Sequence, residues 1–217
     1  MQIDRRKFKF QHLLREHTAP ADGYIPTSQF MVKNTIFGIL TLRDLLIAAI
    51  LGVMGGFISS LIPFSLPIKM FYPFMGGTQL VSGHHTIWMA IAYGLSRKKS
   101  APIVTAFIKG IFEALLGDSW GAFIIVINLL EAAVLVIGFL LIERFNESDT
   151  KFGWSIAGGL GNFIQAPIFW IITGRIFVIH YSLAILSFIF AFLSGVLITG
   201  LLGRQIVKII QKAEGES

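Results

Sequence analysis

The chain has no cysteine. That absence removes disulfides, Cys-ligated zinc, iron–sulfur clusters and a thiol nucleophile from consideration. Charge is scarce too. Only 14% of residues are Asp, Glu, Lys or Arg, against about 25% in a typical soluble domain. A disordered tail, a basic nucleic-acid-binding domain and an ordinary cytosolic enzyme are all excluded on that ground. No P-loop, H-E-x-x-H helix or D-D-x-x-D cluster is present, so the chain reads as a non-enzyme, and any ATP must be bound by another subunit. Gly158-Gly159-Leu160-Gly161 lacks the later glycine and the preceding strand of a dinucleotide site. It reads as close helix packing.

What is abundant is apolar. Mean hydropathy is +0.74, 54% of residues are hydrophobic, and there are 22 Gly and 20 Phe. The expected fold is all-α, a polytopic membrane bundle of six transmembrane helices. Apolar runs cover residues 42–63, 77–96, 101–117, 120–142, 153–173 and 182–203. Each is close to the ~20 residues that cross a ~30 Å hydrocarbon core. The second is the weakest, because Ser82, His84 and His85 interrupt its first half.

Residues 1–41 are mixed and charged and read as a cytoplasmic arm. Residues 42–205 form the six-helix substrate-binding domain, and residues 206–217 a cytoplasmic tail. With the N-terminus inside, the predicted cytoplasmic segments (Arg43 counted with the arm) carry 15 of the 18 Lys and Arg. The predicted outer loops carry only Lys69 and Arg175. This asymmetry puts both termini in the cytoplasm of a plasma-membrane protein, and the net charge of +6 reflects topology rather than nucleic acid. The outer segment 63–76, rich in proline and aromatics, reads either as a lid or as the frayed end of a helix. Asp118-Ser119 is a tight hairpin turn.

Ionisable and amide side chains at membrane depth are few and mark candidate sites. Lys109 and Glu113 are spaced i, i+4. Asn128 and Glu131 are spaced i, i+3, as are Asn162 and Gln165. Each pair lies on one helix face, at roughly matching depth, as expected of one pocket. His84, His85 and Trp88 can close it from the second span. Each pair also has a structural reading: an ion pair that hides two charges, or interhelical hydrogen bonds. Adjacent histidines on a helix are a poor metal pair, so no metal site is assigned. On the first span Ala48, Gly52 and Gly56 form a small-residue stripe. It serves either internal packing or docking of a partner.

These features resemble the S-components of energy-coupling factor (ECF) transporters. The resemblance is closest to the YkoE-like thiamine and hydroxymethylpyrimidine group. It rests on the six spans, the stripe, Ile87-Trp88 with Ala92-Tyr93, the turn Arg97-Lys98-Lys99, and the run from Phe112-Glu113 through Leu115-Leu116-Gly117-Asp118 to Trp120-Gly121. It implies a substrate-binding membrane subunit of an ATP-driven importer for a small vitamin or precursor. No cofactor is held in this chain, since two partner ATPases hydrolyse ATP and a membrane coupling subunit docks on the first span. Glu113 and Glu131 would meet charged or polar ligand groups, Asn128, Asn162 and Gln165 a heterocycle, with Trp88 stacking and His84 beside them. Lys109 partly neutralises Glu113. The alternative is a self-contained proton-coupled carrier using Lys109 and Glu113.

Overall fold

A computed structural model describes residues 38–61, 77–118, 120–145, 149–172 and 181–215. The 63–76 segment and nearly all of the 1–41 arm lie outside the described residues. Every regular element described is helical: α1 (Leu42–Leu61), a 3₁₀ turn (Gly77–Leu80), α2 (Gly83–Ser96), α3 (Ser100–Leu115), α4 (Phe123–Glu143), α5 (Lys151–Phe163), α6 (Gln165–Ile172), α7 (Tyr181–Ser194), a π-helical stretch (Gly195–Leu202) and α8 (Gly203–Ala213). α5 and α6 run on as one span, and α7, the π stretch and α8 as another. Six helical rods result. Four are long and apolar enough to cross a membrane, Leu42–Leu61, Phe123–Glu143, Lys151–Ile172 and Tyr181–Ala213.

The rods pack α1 on α3, α3 on α4, α4 on α5, and α5 on α7 and the π stretch. α2 packs against α1, α3, α4, α5, the π stretch and α8. It is the centre of the bundle. Nine of its fourteen residues are buried, which explains its polar sequence: protein rather than lipid surrounds it. α1 is the opposite case. Leu46, Ile50, Met54 and Phe57 are exposed along its outer side, where a bilayer would cover them.

Glycine sets the closest approaches. A Cβ on Gly158 would stand 2.6 Å from the Gly200 nitrogen and 2.7 Å from the Gly195 oxygen. α5 and the π stretch therefore meet backbone to backbone. The π stretch widens the turn where Thr199 Oγ1 donates to the Gly83 carbonyl at 2.9 Å and shares a 2.6 Å contact with Thr86 Oγ1.

One end of the bundle is basic and laced with ion pairs. Arg97 ends α2 in the left-handed region at φ 56°. The turn then sends three consecutive cations to three elements: Arg97 to Asp149 at 3.1 Å, Lys98 to Asp44 at 2.8 Å and Lys99 to Glu143 at 2.7 Å. Asp44 also closes a capping box, accepting from the Thr41 nitrogen at 2.8 Å and the Thr41 hydroxyl at 2.7 Å. Lys98→Met should lower stability by about 1 kcal/mol, because Asp44 is buried and loses a charged donor. Thermal unfolding in detergent checks this. An unchanged midpoint would class the pair with exposed bridges that contribute nothing measurable.

Candidate functional site

The halves of α2, α3 and α4 remote from the basic end bring the first polar group together. Gly55 on α1 makes room for the indole of Trp88, since a Cβ there would lie 2.7 Å from Trp88 Cγ and 3.3 Å from Lys109 Cδ. Gly110 does the same for α4. A Cβ there would lie 2.7 Å from Ile125 Cα and 3.3 Å from Asn128 Nδ2. With both helices drawn in, Lys109 Nζ donates to Glu113 Oε1 at 2.6 Å and to Asn128 Oδ1 at 2.7 Å. Asn128 Nδ2 donates to Glu113 Oε2 at 2.6 Å and to the Ile124 carbonyl at 3.0 Å. His85 Nδ1 stands 3.4 Å from Lys109 Nζ and 3.6 Å from Glu113 Oε1. The result is a closed ring of buried groups in which both Glu113 oxygens are engaged. Such charges tolerate burial because each has a partner.

Glu131, one turn further along the same face of α4, differs. It is 1% exposed, and its Oε2 has no hydrogen-bond partner among the described residues. The Trp88 Nε1 is likewise buried and unpartnered. These two groups retain unused hydrogen-bonding capacity beside the closed ring.

Asn162 belongs to a second group. Its Nδ2 donates to Ser82 Oγ at 2.7 Å and to the Ala191 carbonyl at 2.6 Å. The Ser194 hydroxyl accepts from the Gly83 nitrogen at 2.9 Å. At 100° per residue, Ser82, Gly83 and Thr86 lie on one face of α2 and His85 and Trp88 on another. The hydrogen bonds thus hold Asn162 and the Lys109–Glu113–Asn128 ring against different faces of α2. Gln165 is half-buried, with an unpartnered Oε1. His84 places its Nδ1 2.7 Å from the Val81 carbonyl and stays outside the ring.

The docking expectation for Ala48, Gly52 and Gly56 is corrected. All three are buried. A Cβ on Gly52 would meet the Thr105 oxygen at 2.9 Å, and one on Gly56 would meet the Lys109 oxygen at 2.9 Å. The stripe is the seam between α1 and α3 of this chain, the internal alternative.

Sequence reasoning missed the hydroxyl group of Ser82, Thr86, Ser194 and Thr199. The i, i+4 spacing of Ser82 and Thr86 was the available signal. The run Gly117-Asp118-Ser119-Trp120-Gly121 has G-x-S-x-G spacing, but it joins α3 to α4. A nucleophile elbow needs a strand leading into a helix, so the spacing carries no hydrolase reading. Among the described residues no group of three or more His, Asp or Glu gathers to hold a metal ion.

The fold is shared with a crystal structure described as an S-component of an ECF transporter. The TM-score is 0.71 at 20% identity, with 81% of this chain and 88% of that chain covered. Curated protein sequences give no match. Residues 43–164, more than half of the chain, match the family described as ABC-type cobalt transport system, permease component. An all-helical membrane bundle with buried charge between its helices and this match over α1 to α5 place the chain in that permease family.

Proposed function

We propose that the protein is the substrate-binding membrane subunit of an ATP-driven ECF-type importer. Its cargo is a small vitamin or vitamin precursor, with thiamine or a pyrimidine precursor as the first candidates. The observation that carries the reading is the pair of buried, unpartnered groups, Glu131 Oε2 and Trp88 Nε1, within an S-component-like fold. Buried polar atoms without partners are costly, and a ligand bringing donors to Glu131 and an acceptor to Trp88 would offset that cost. Gln165 and Asn162 offer further unpartnered amide oxygens. Glu113, Asn128 and His84 act beside the ligand by shaping the wall. Lys109 supplies the neutralising charge. The basic end faces the cytoplasm with both termini, and the ligand enters from the opposite end. A coupling subunit and two ATPases complete the importer, and the coupling subunit docks on a surface other than the Ala48/Gly52/Gly56 seam.

The test is thermal stabilisation and calorimetric binding over a panel of vitamins, pyrimidines and Co²⁺. A vitamin-like compound should stabilise the purified protein. Glu131→Leu should weaken its binding about 10- to 150-fold, the loss expected for a charged hydrogen bond of about 1.5–3 kcal/mol. Stabilisation by Co²⁺ alone would replace the organic cargo with the ion. Substrate uptake by this chain alone in liposomes, driven by a pH gradient, would favour the proton-coupled carrier built on Lys109 and Glu113.

A further inference from the structure

At the basic end of α4 an open groove of about 530 Å³ is lined by Ile137, Leu140, Leu141, Glu143 and Arg144. Its walls are aliphatic, and Ile137 and Leu141 are exposed on the outer side of the bundle. The two charged residues at its mouth do not cancel each other. Glu143 is turned to the protein: its Oε1 accepts from the Tyr93 hydroxyl at 2.7 Å, and its Oε2 pairs with Lys99 at 2.7 Å. Arg144 is exposed and has no ion-pair partner among the described residues. Phe145 beside it is 76% exposed, as an aromatic at a membrane interface is. The groove therefore combines an apolar trough with a guanidinium at its rim that no carboxylate opposes among the described residues.

We propose that this groove is a binding site for an anionic phospholipid. One acyl chain lies along Ile137, Leu140 and Leu141, and the headgroup phosphate accepts hydrogen bonds from Arg144. Arginine suits the role because its planar fork matches phosphate oxygens in pairs. The neutralisation of Glu143 by Lys99 and Tyr93 matters equally, because a free carboxylate there would repel the phosphate. The site is independent of the cargo site and of the importer reading.

Native mass spectrometry of the protein with mixed micelles of phosphatidylglycerol and phosphatidylcholine tests it. One basic residue at a membrane surface is worth about 1 kcal/mol, roughly a fivefold preference. The expected result is retention of one phosphatidylglycerol about fivefold over phosphatidylcholine, with that preference lost in Arg144→Gln. Leu140→Trp, which fills the trough, should reduce retention of both lipids. Equal retention of the two lipids, or a preference unchanged in Arg144→Gln, overturns the proposal. A photo-crosslinker at Leu141 should label lipid in native membranes, and labelling of a partner protein instead would also overturn it. The thermal midpoint of each variant identifies any loss caused by misfolding, and an Arg144→Lys variant that keeps part of the preference separates charge from fold.

Discussion

Glu113→Leu should destabilise the protein by about 3–5 kcal/mol, the cost of leaving a buried charge without its partner. Lys109 is 0% exposed and holds its ammonium against Glu113 and Asn128 at 2.6 and 2.7 Å. Without the carboxylate the ammonium keeps only the Asn128 oxygen and His85, and neither carries a compensating negative charge. Lys109→Met alone should cost a similar amount, because it strands the carboxylate. The double variant Lys109→Met/Glu113→Leu should recover most of the loss, since well-packed apolar residues often replace a buried ion pair at little cost. Thermal or denaturant unfolding in detergent gives the cycle. A double variant as unstable as the two single losses added together would show that the residues do not act as a pair. Ligand binding retained by a stable double variant would confine the ring to a structural role; binding lost from it would make the pair part of the cargo site.

Gly158→Leu should prevent the bundle from closing. The measurement is loss of a monodisperse, cooperatively unfolding species, with a deficit of more than about 3 kcal/mol where unfolding can still be followed. The obstacles within 3 Å are the backbone atoms of Gly195 and Gly200. Backbone cannot rotate out of the way as a side chain can, so this overpacking lies at the upper end of the range. Gly203→Ala is the control. Its added Cβ would meet only Ile87, Ala90 and the Ile198 oxygen at 3.4–3.9 Å, ordinary contact distances. That substitution should be neutral or stabilising by up to about 1 kcal/mol, from helix propensity. Equal losses at both positions would mean that close backbone approach is not what sets Gly158 apart from Gly203.

Much of the molecule is legible residue by residue. The polar pair Lys109–Glu113 sits on one helix face because of its spacing alone, and the structure joins it. Asn128 reaches the same ring, which spacing could not say. It does so because Gly110 removes a side chain that would have held α4 away. The same spacing logic puts Asn162 and Gln165 on one face but does not reveal that Asn162 bonds Ser82 and Ala191, since periodicity gives a face but not the neighbour that face meets. The α2 sequence, interrupted by Ser82, His84 and His85, was the weakest span for a related reason. Hydropathy measures fitness for lipid, and α2 is wrapped by protein. The turn Arg97-Lys98-Lys99, which in the sequence marks topology and the family resemblance, ties α1, α4 and the segment leading into α5 together through Asp44, Glu143 and Asp149.

The sequence by itself determined the all-helical membrane class and the number of rods. Each apolar run must satisfy its own backbone within hydrocarbon, and that constraint is local. Only the tertiary structure decided where the Ala48/Gly52/Gly56 seam points, which charges are closed into a ring, and that Glu131 and Trp88 are among the groups that keep hydrogen-bonding capacity. These depend on distances between helices far apart in the chain. Glycines at Gly55, Gly110 and Gly158 set those distances by letting backbones and rings come within reach.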